Sequence, residues 1–178
     1  MLKKFTSENI GVVNDAAAMA EELVSNFYKM SESQWLRRRY DIKTLIHLKP
    51  DEIVHGPFAQ VIRFTGQHNN RLLGSSTYDF YKICIQDHAI ISTLKKFSDI
   101  KLFPFSLYII IHELIHIVRF SKFLQSFDAS PAEKMAEETR VHAKTGNILE
   151  GVQVPGINVV LEFYNKWSEP VEEMQELS

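Results

Sequence analysis

A single cysteine, Cys84, occurs in the 178 residues, so the chain cannot close an internal disulfide and its fold cannot depend on one. An excess of one charge is missing too: 20 basic residues stand against 22 acidic ones, a formal net charge of -2. Without an overall positive field nothing draws in nucleic-acid phosphates or an anionic membrane, and neither partner is expected. The one basic run, Arg37-Arg38-Arg39, lies between Trp35 and Tyr40. Cations beside aromatics would also suit a single-stranded nucleic acid, but a solvated helix face is the simpler reading. Long hydrophobic runs are lacking as well. The most apolar stretch, Leu107 to Ile111, is followed at once by His112 and Glu113, far short of the roughly 20 residues that span a bilayer. Met1 to Glu8 carry no uninterrupted apolar stretch after Lys3 and Lys4, unlike a secretory signal. A cytoplasmic protein is the expectation.

What is present suffices for a sizeable core: 45% of residues are hydrophobic and 11% aromatic, and one domain over residues 1–178 is expected. Ile10, Val13, Ala17, Ala20, Leu23, Val24 and Phe27 recur at steps of three and four, which predicts an amphipathic helix from about Glu8 to Met30. A second helix is expected from Ser33 to Leu48, with Trp35, Leu36, Tyr40, Leu45 and Ile46 as its apolar face and Lys49-Pro50 as its stop. Together these make residues 1–50 a helical amino-terminal segment. Between Ile53 and Gln86 aromatic and β-branched residues dominate, predicting two strands, Phe58–Phe64 and Tyr78–Gln86, joined through Gly66 to Asn70 as a small antiparallel sheet. Asp87 is a candidate cap for a short helix to about Phe97. Pro104 suits the first turn of a long helix to about Leu124, and Ser130-Pro131-Ala132-Glu133 is a capping box opening a helix to Ile148 or Leu149. A last helix is expected over Gly156–Trp167, leaving residues 168–178 as a flexible acidic tail. The fold class is α+β, its core spanning 51–167.

The chemistry concentrates in His112-Glu113-Leu114-Ile115-His116. On a helix, histidines four apart project from one face on adjacent turns, so both imidazoles can reach one ion. Zinc accepts imidazole nitrogen and lowers the pKa of water towards neutrality, and a neighbouring carboxylate such as Glu113 can take the proton as general base. The bare pattern arises by chance on the order of a few times per hundred such chains. Its flanks sharpen it. Ile109, Ile110, Ile111, Leu114, Ile115, Ile117 and Val118 make the helix apolar on nearly every side, and two histidines and a glutamate are costly there without a partner. The bland alternative is a pair of core histidines bonded to backbone carbonyls, with Glu113 in an ion pair.

A third ligand is needed. The extended form with a third histidine is excluded, because Arg119 and Lys122 stand where its glycine and histidine belong. A glutamate on the following helix is the remaining common solution. At about 100° per residue Met135, Glu138, His142, Thr145 and Leu149 share one stripe, whereas Glu133, Glu137, Arg140 and Lys144 face the other way. Glu138 is therefore the inward carboxylate and His112, His116 and Glu138 the expected metal ligands. His142, one turn further on, is a candidate fourth ligand, a donor that orients His112 or Glu138, or an oxyanion stabiliser in catalysis, the orienting role being favoured. Tyr164 is a weaker oxyanion candidate against core packing. His47, His55, His68 and His88 read as loop, surface or capping neighbours. Cys84 could supply a thiolate from the sheet, but a lone strand cysteine is usually a small buried apolar group.

His112-Glu113-x-x-His116 followed by Glu138-x-x-x-His142 resembles the gluzincin, thermolysin-like branch of the zincin metallopeptidases. The resemblance covers about Phe105 to Thr145 and departs from the family at His142, where an aspartate is frequent. It implies a zincin-like fold, one zinc per chain, Glu113 as base, and a peptide or protein substrate aligned along an edge strand, which by analogy is Tyr78–Gln86. The expected function is a zinc-dependent hydrolase acting as a peptidase. The alternatives are a non-proteolytic zinc protein with a structural, sensory or regulatory site, and a metal-free helical interaction module. Nothing in the sequence sets an oligomeric state.

Overall fold

The computed structural model describes residues 1–31, 39–68, 76–122, 124–126, 128–166 and 175–177. Its centre is a helix, α3 (Leu102–Ser121), in which every residue from Pro104 to Phe120 is buried. Such a helix must be surrounded on all sides. Around it lie α1 (Ser7–Phe27), α4 (Pro131–Glu150), α5 (Ile157–Lys166) and a sheet, with α2 (Asp87–Lys96) linking the sheet to α3. By length and composition α3 could cross a bilayer, yet 89% of its most apolar window is covered by the protein itself. It is the core helix of an α+β fold, with five α-helices and one mixed sheet among the described residues.

α1 begins where Thr6 Oγ1 accepts from Asn9 N and Asn9 Oδ1 accepts in return from Thr6 N, both at 3.1 Å, a reciprocal cap that satisfies two otherwise orphaned donors. Its buried stripe is Val13, Ala16, Ala20 and Val24. The two alanines let α1 lie close against α3, while Phe27, expected inside, is exposed. α4 starts as its sequence demands, with Ser130 Oγ accepting from Glu133 N and Glu133 Oε2 accepting from Ser130 N. The turn into α5 passes through Gly156 at φ +83, where an added Cβ would also lie 3.3 Å from Pro104 Cγ. Backbone and packing both favour glycine there.

The helix expected over Ser33–Leu48 is not formed across its described part. Tyr40–Lys43 is instead a strand, β1, pairing in parallel with Tyr81–Cys84, and two short 3-10 turns, Leu45–His47 and Pro50–Glu52, follow. Ser33, Trp35, Leu36, Arg37 and Arg38 lie outside the described residues. β2 (Ala59–His68) and β3 (Ser76–Ile85) pair antiparallel from Ala59↔Ile85 to His68↔Ser76, so the ladder runs through the expected turn at Gly66, Gln67 and His68. Residues 175–177 of the expected tail form a short strand, β4, parallel to Ile62–Phe64 of β2. The order β1-β3-β2-β4 makes the sheet mixed, not antiparallel, and puts β3 inside it. Over Tyr81–Cys84 both backbone edges of β3 are engaged by β1 and β2. It is therefore not the open edge that an aligned peptide requires.

Asp87 does not cap α2. Gln86 occupies the N-cap without a side-chain bond, and the buried Asp87 carboxylate accepts from Phe5 N at 2.8 Å and Leu45 N at 3.0 Å, tying the amino terminus and the turn after β1 to the sheet end.

Candidate metal centre

α3 and α4 carry the site between them. His112 and His116 are one turn apart on α3. Glu138 on α4 lies opposite, with Oε2 3.1 Å from His112 Nε2 and Oε1 2.8 Å from His116 Nε2. The nearest ligand atoms of the three all fall within 4.8 Å of one another, and all three residues are buried. The inward turn of Glu138 follows its helical phase. The buried face of α4 is nevertheless broader than the expected stripe: Glu137, Glu138, Val141, Thr145, Ile148 and Leu149 face inward, and Met135 is exposed. Glu137, assigned outward by phase, is buried against the Arg119 guanidinium and also meets Arg140. Arg119 in turn reaches the Leu124 carbonyl at 3.3 Å. A buried carboxylate is stable there because the arginine is buried with it.

Each imidazole is oriented from behind. His116 Nδ1 donates to Gln125 Oε1 at 3.0 Å, so in the neutral ring the lone pair sits on Nε2, facing Glu138. Yet His116 Nε2 and Glu138 Oε1, 2.8 Å apart, make no hydrogen bond to each other or to anything else. A buried ring nitrogen and a buried carboxylate oxygen converging without a hydrogen bond between them fit a cation. His112 donates from Nδ1 to Glu113 Oε1 at 3.1 Å and from Nε2 to Glu138 Oε2. Burial alone would lower its pKa, but the Glu138 and Glu113 carboxylates outweigh burial and hold it well above the ordinary histidine value. Glu138 is driven the opposite way: burial raises it, and the charges of His112 and His116, with the hydrogen bond from His112, prevail and lower it. In electrostatic terms a proton on His112 does what a cation between the ligands would do.

Glu113 is 1% exposed. Its Oε1 contacts the ring nitrogen of His112 that points away from Glu138, and its Oε2 is buried without a partner. His142 stands at the rim, Nε2 3.8 Å from Glu138 Oε2, its side chain 25% exposed. Tyr108 Oη lies 2.7 Å from His142 Nδ1. Neither Tyr108 nor Gln125 carries a sequence signal of its own, although Tyr108 precedes His112 by one helical turn and shares its face. Two cavities flank the site, one of about 280 Å³ lined by Tyr108, His142 and Tyr164 and one of about 300 Å³ lined by Gln125, Glu137 and Arg140.

The remaining candidates are not among the three clustered ligand candidates. Tyr164 stacks on Tyr108 at 3.7 Å between ring centroids and is a wall of the neighbouring cavity. His88 Nε2 is 3.1 Å from the Val54 carbonyl, with the His55 ring beside it. His47 ends a 3-10 turn, and the side chain of His68 is outside the described residues. Cys84 is fully buried in β3, and burial, reinforced by the Glu52 carboxylate, pushes its thiol up to about 12. It stays protonated and is not a member of the cluster. Compared with protein-family models, curated proteins and solved structures, the chain finds no significant match.

Proposed function

We propose that this chain is a zinc-dependent hydrolase, with peptide or protein as the substrate class implied by its resemblance to gluzincin peptidases, a zincin-like arrangement of sheet, motif helix and glutamate helix included. The observation that carries the reading is the convergence of His116 Nε2 and Glu138 Oε1, buried, 2.8 Å apart and unbonded, beside His112 Nε2. His112, His116 and Glu138 would hold the ion, a donor set of two imidazoles and one carboxylate that suits zinc. When bound, zinc supplies Lewis acidity that brings the pKa of water towards neutrality. Gln125 and Glu113 fix the two imidazole rings from their far nitrogens. Glu113, the carboxylate next to the first ligand histidine, would take the proton from the attacking water and return it to the leaving group. His142, on the rim, donates to the oxygen on which negative charge develops.

Glu113→Gln tests this. Hydrolysis of a peptide library should fall by about 10²–10⁴-fold with metal content unchanged; undiminished cleavage by a homogeneous variant refutes the assignment of the base.

A second reading, a zinc centre without hydrolytic function, draws on one specific observation. His112, Glu113 and His116 are each no more than 2% exposed, and the flanking cavities are lined by His142 and Gln125 instead. Retention of zinc with no cleavage by the wild-type chain selects it.

A further inference from the structure

We propose that Tyr108 is a positioning residue of the metal centre: its hydroxyl donates to His142 Nδ1, holds His142 as the Nε2–H tautomer and so keeps it out of the coordination shell. The proposal rests on reading His112, His116 and Glu138 as ligands.

The two helices present their groups in rungs. Tyr108 lies one turn before His112 on α3, and His142 one turn after Glu138 on α4. The pairs Tyr108–His142, His112–Glu138 and His116–Glu138 therefore meet in succession at 2.7, 3.1 and 2.8 Å. The Tyr108 ring is 2% exposed and lies nearly parallel to the Tyr164 ring, 11° between planes, so its hydroxyl has little freedom of direction. The His142 ring is packed 4.4 Å from that of His112. Its Nε2 is close enough to the cluster to join it by a small rotation, being 3.8 Å from Glu138 Oε2.

Which nitrogen carries the proton decides what His142 does. If Nδ1–H donated to the tyrosine oxygen, Nε2 would present a lone pair and could complete a closed four-ligand shell, the structural kind. If the hydroxyl donates to Nδ1, Nε2 carries the hydrogen and cannot ligate. Two features select the second state. A phenolic hydroxyl is a better donor than acceptor, and imidazole Nδ1 is a good acceptor. At the other end Nε2 faces Glu138 Oε2, an ionised carboxylate oxygen that only accepts. Tyr108 thus leaves three protein ligands and an N–H directed at the remaining position. His142 also lines the cavity of about 280 Å³ between α4 and α5.

Long-range ¹⁵N–¹H spectra of the imidazoles in the full chain, with and without one equivalent of zinc, read the tautomer directly. His142 should be protonated at Nε2 in both states. Tyr108→Phe, which removes only the hydroxyl, should shift His142 towards a mixture of tautomers. His142→Phe should still bind one equivalent of zinc, since it removes no ligand. An Nδ1–H tautomer in the wild-type chain, a His142 Nε2 bonded to metal, or loss of zinc in His142→Phe overturns the proposal. If no zinc binds to any form, the ligand reading fails by itself. The metal-free spectra of wild type and Tyr108→Phe then still decide whether Tyr108 sets the tautomer.

Discussion

Among the described residues, two of the buried polar clusters are built on opposite principles. Beside the sheet, Asp87 accepts from Phe5 N and Leu45 N, and Glu52 accepts from Lys49 N at 2.9 Å and Lys82 Nζ at 2.7 Å. Gln60 and Gln86 donate their amides to the Glu52 carbonyl, each at 3.1 Å. Almost every group there is answered by the chain itself, Gln60 Oε1 being left over. Between α3 and α4 the pattern reverses: His116 Nε2 and Glu138 Oε1 are buried 2.8 Å apart without hydrogen-bond partners, and Glu113 Oε2, beside His112, is buried without one as well. A cluster that answers itself staples loops to a sheet. One that leaves atoms unanswered fits the cation site proposed above.

The comparison breaks first at the ligands. His116→Ala should lower zinc affinity by more than about a hundredfold, beyond the 10–100-fold typical of a supporting residue, as read by competition with a chromophoric chelator. Equal affinity would remove the distinction between the clusters. Asp87→Ala is the complementary cut. It leaves two buried backbone N–H groups unpaired and should cost about 1–3 kcal/mol in denaturant unfolding, with zinc content unchanged. A loss of zinc would show that the clusters are one unit.

The smallest effect is on pH. The His112 pKa is raised in the folded chain, so in the metal-free protein its stabilisation is fully present below the ordinary histidine pKa and is lost as pH rises through the raised value. Zinc must displace that proton from Nε2. Apparent affinity should therefore climb by about tenfold per pH unit for each proton released, until pH passes the raised value. Titration calorimetry in buffers of differing ionisation enthalpy measures the release; none at neutral pH contradicts it.

Much of the candidate metal centre was legible in the sequence because it is written in helical phase. Spacing alone places His112 beside His116, and Glu138 on the inward side of α4. Phase has limited resolution, however. Neighbours such as Glu137 and Glu138 differ by about 100°, both fit within one broad buried arc, and only the partner Arg119 on α3 explains why Glu137 turns inward. Gln125 sits in the turn after α3, where no periodicity operates. The sheet was legible only where strands follow one another. β2 and β3 announced themselves by composition, whereas Tyr40–Lys43 owes its strand conformation to pairing with residues some 40 positions away. Its local apolar spacing suited a helix equally well. The same non-local pairing closes β3 inside the sheet, which no reading of that strand alone could show.

Elemental analysis of the full chain, purified without chelator, tests the central claim most directly. The account predicts one zinc per chain, removed by chelation with a fall in melting temperature and restored by added zinc. A chain that carries no metal, takes up none, and melts identically with and without chelator contradicts it.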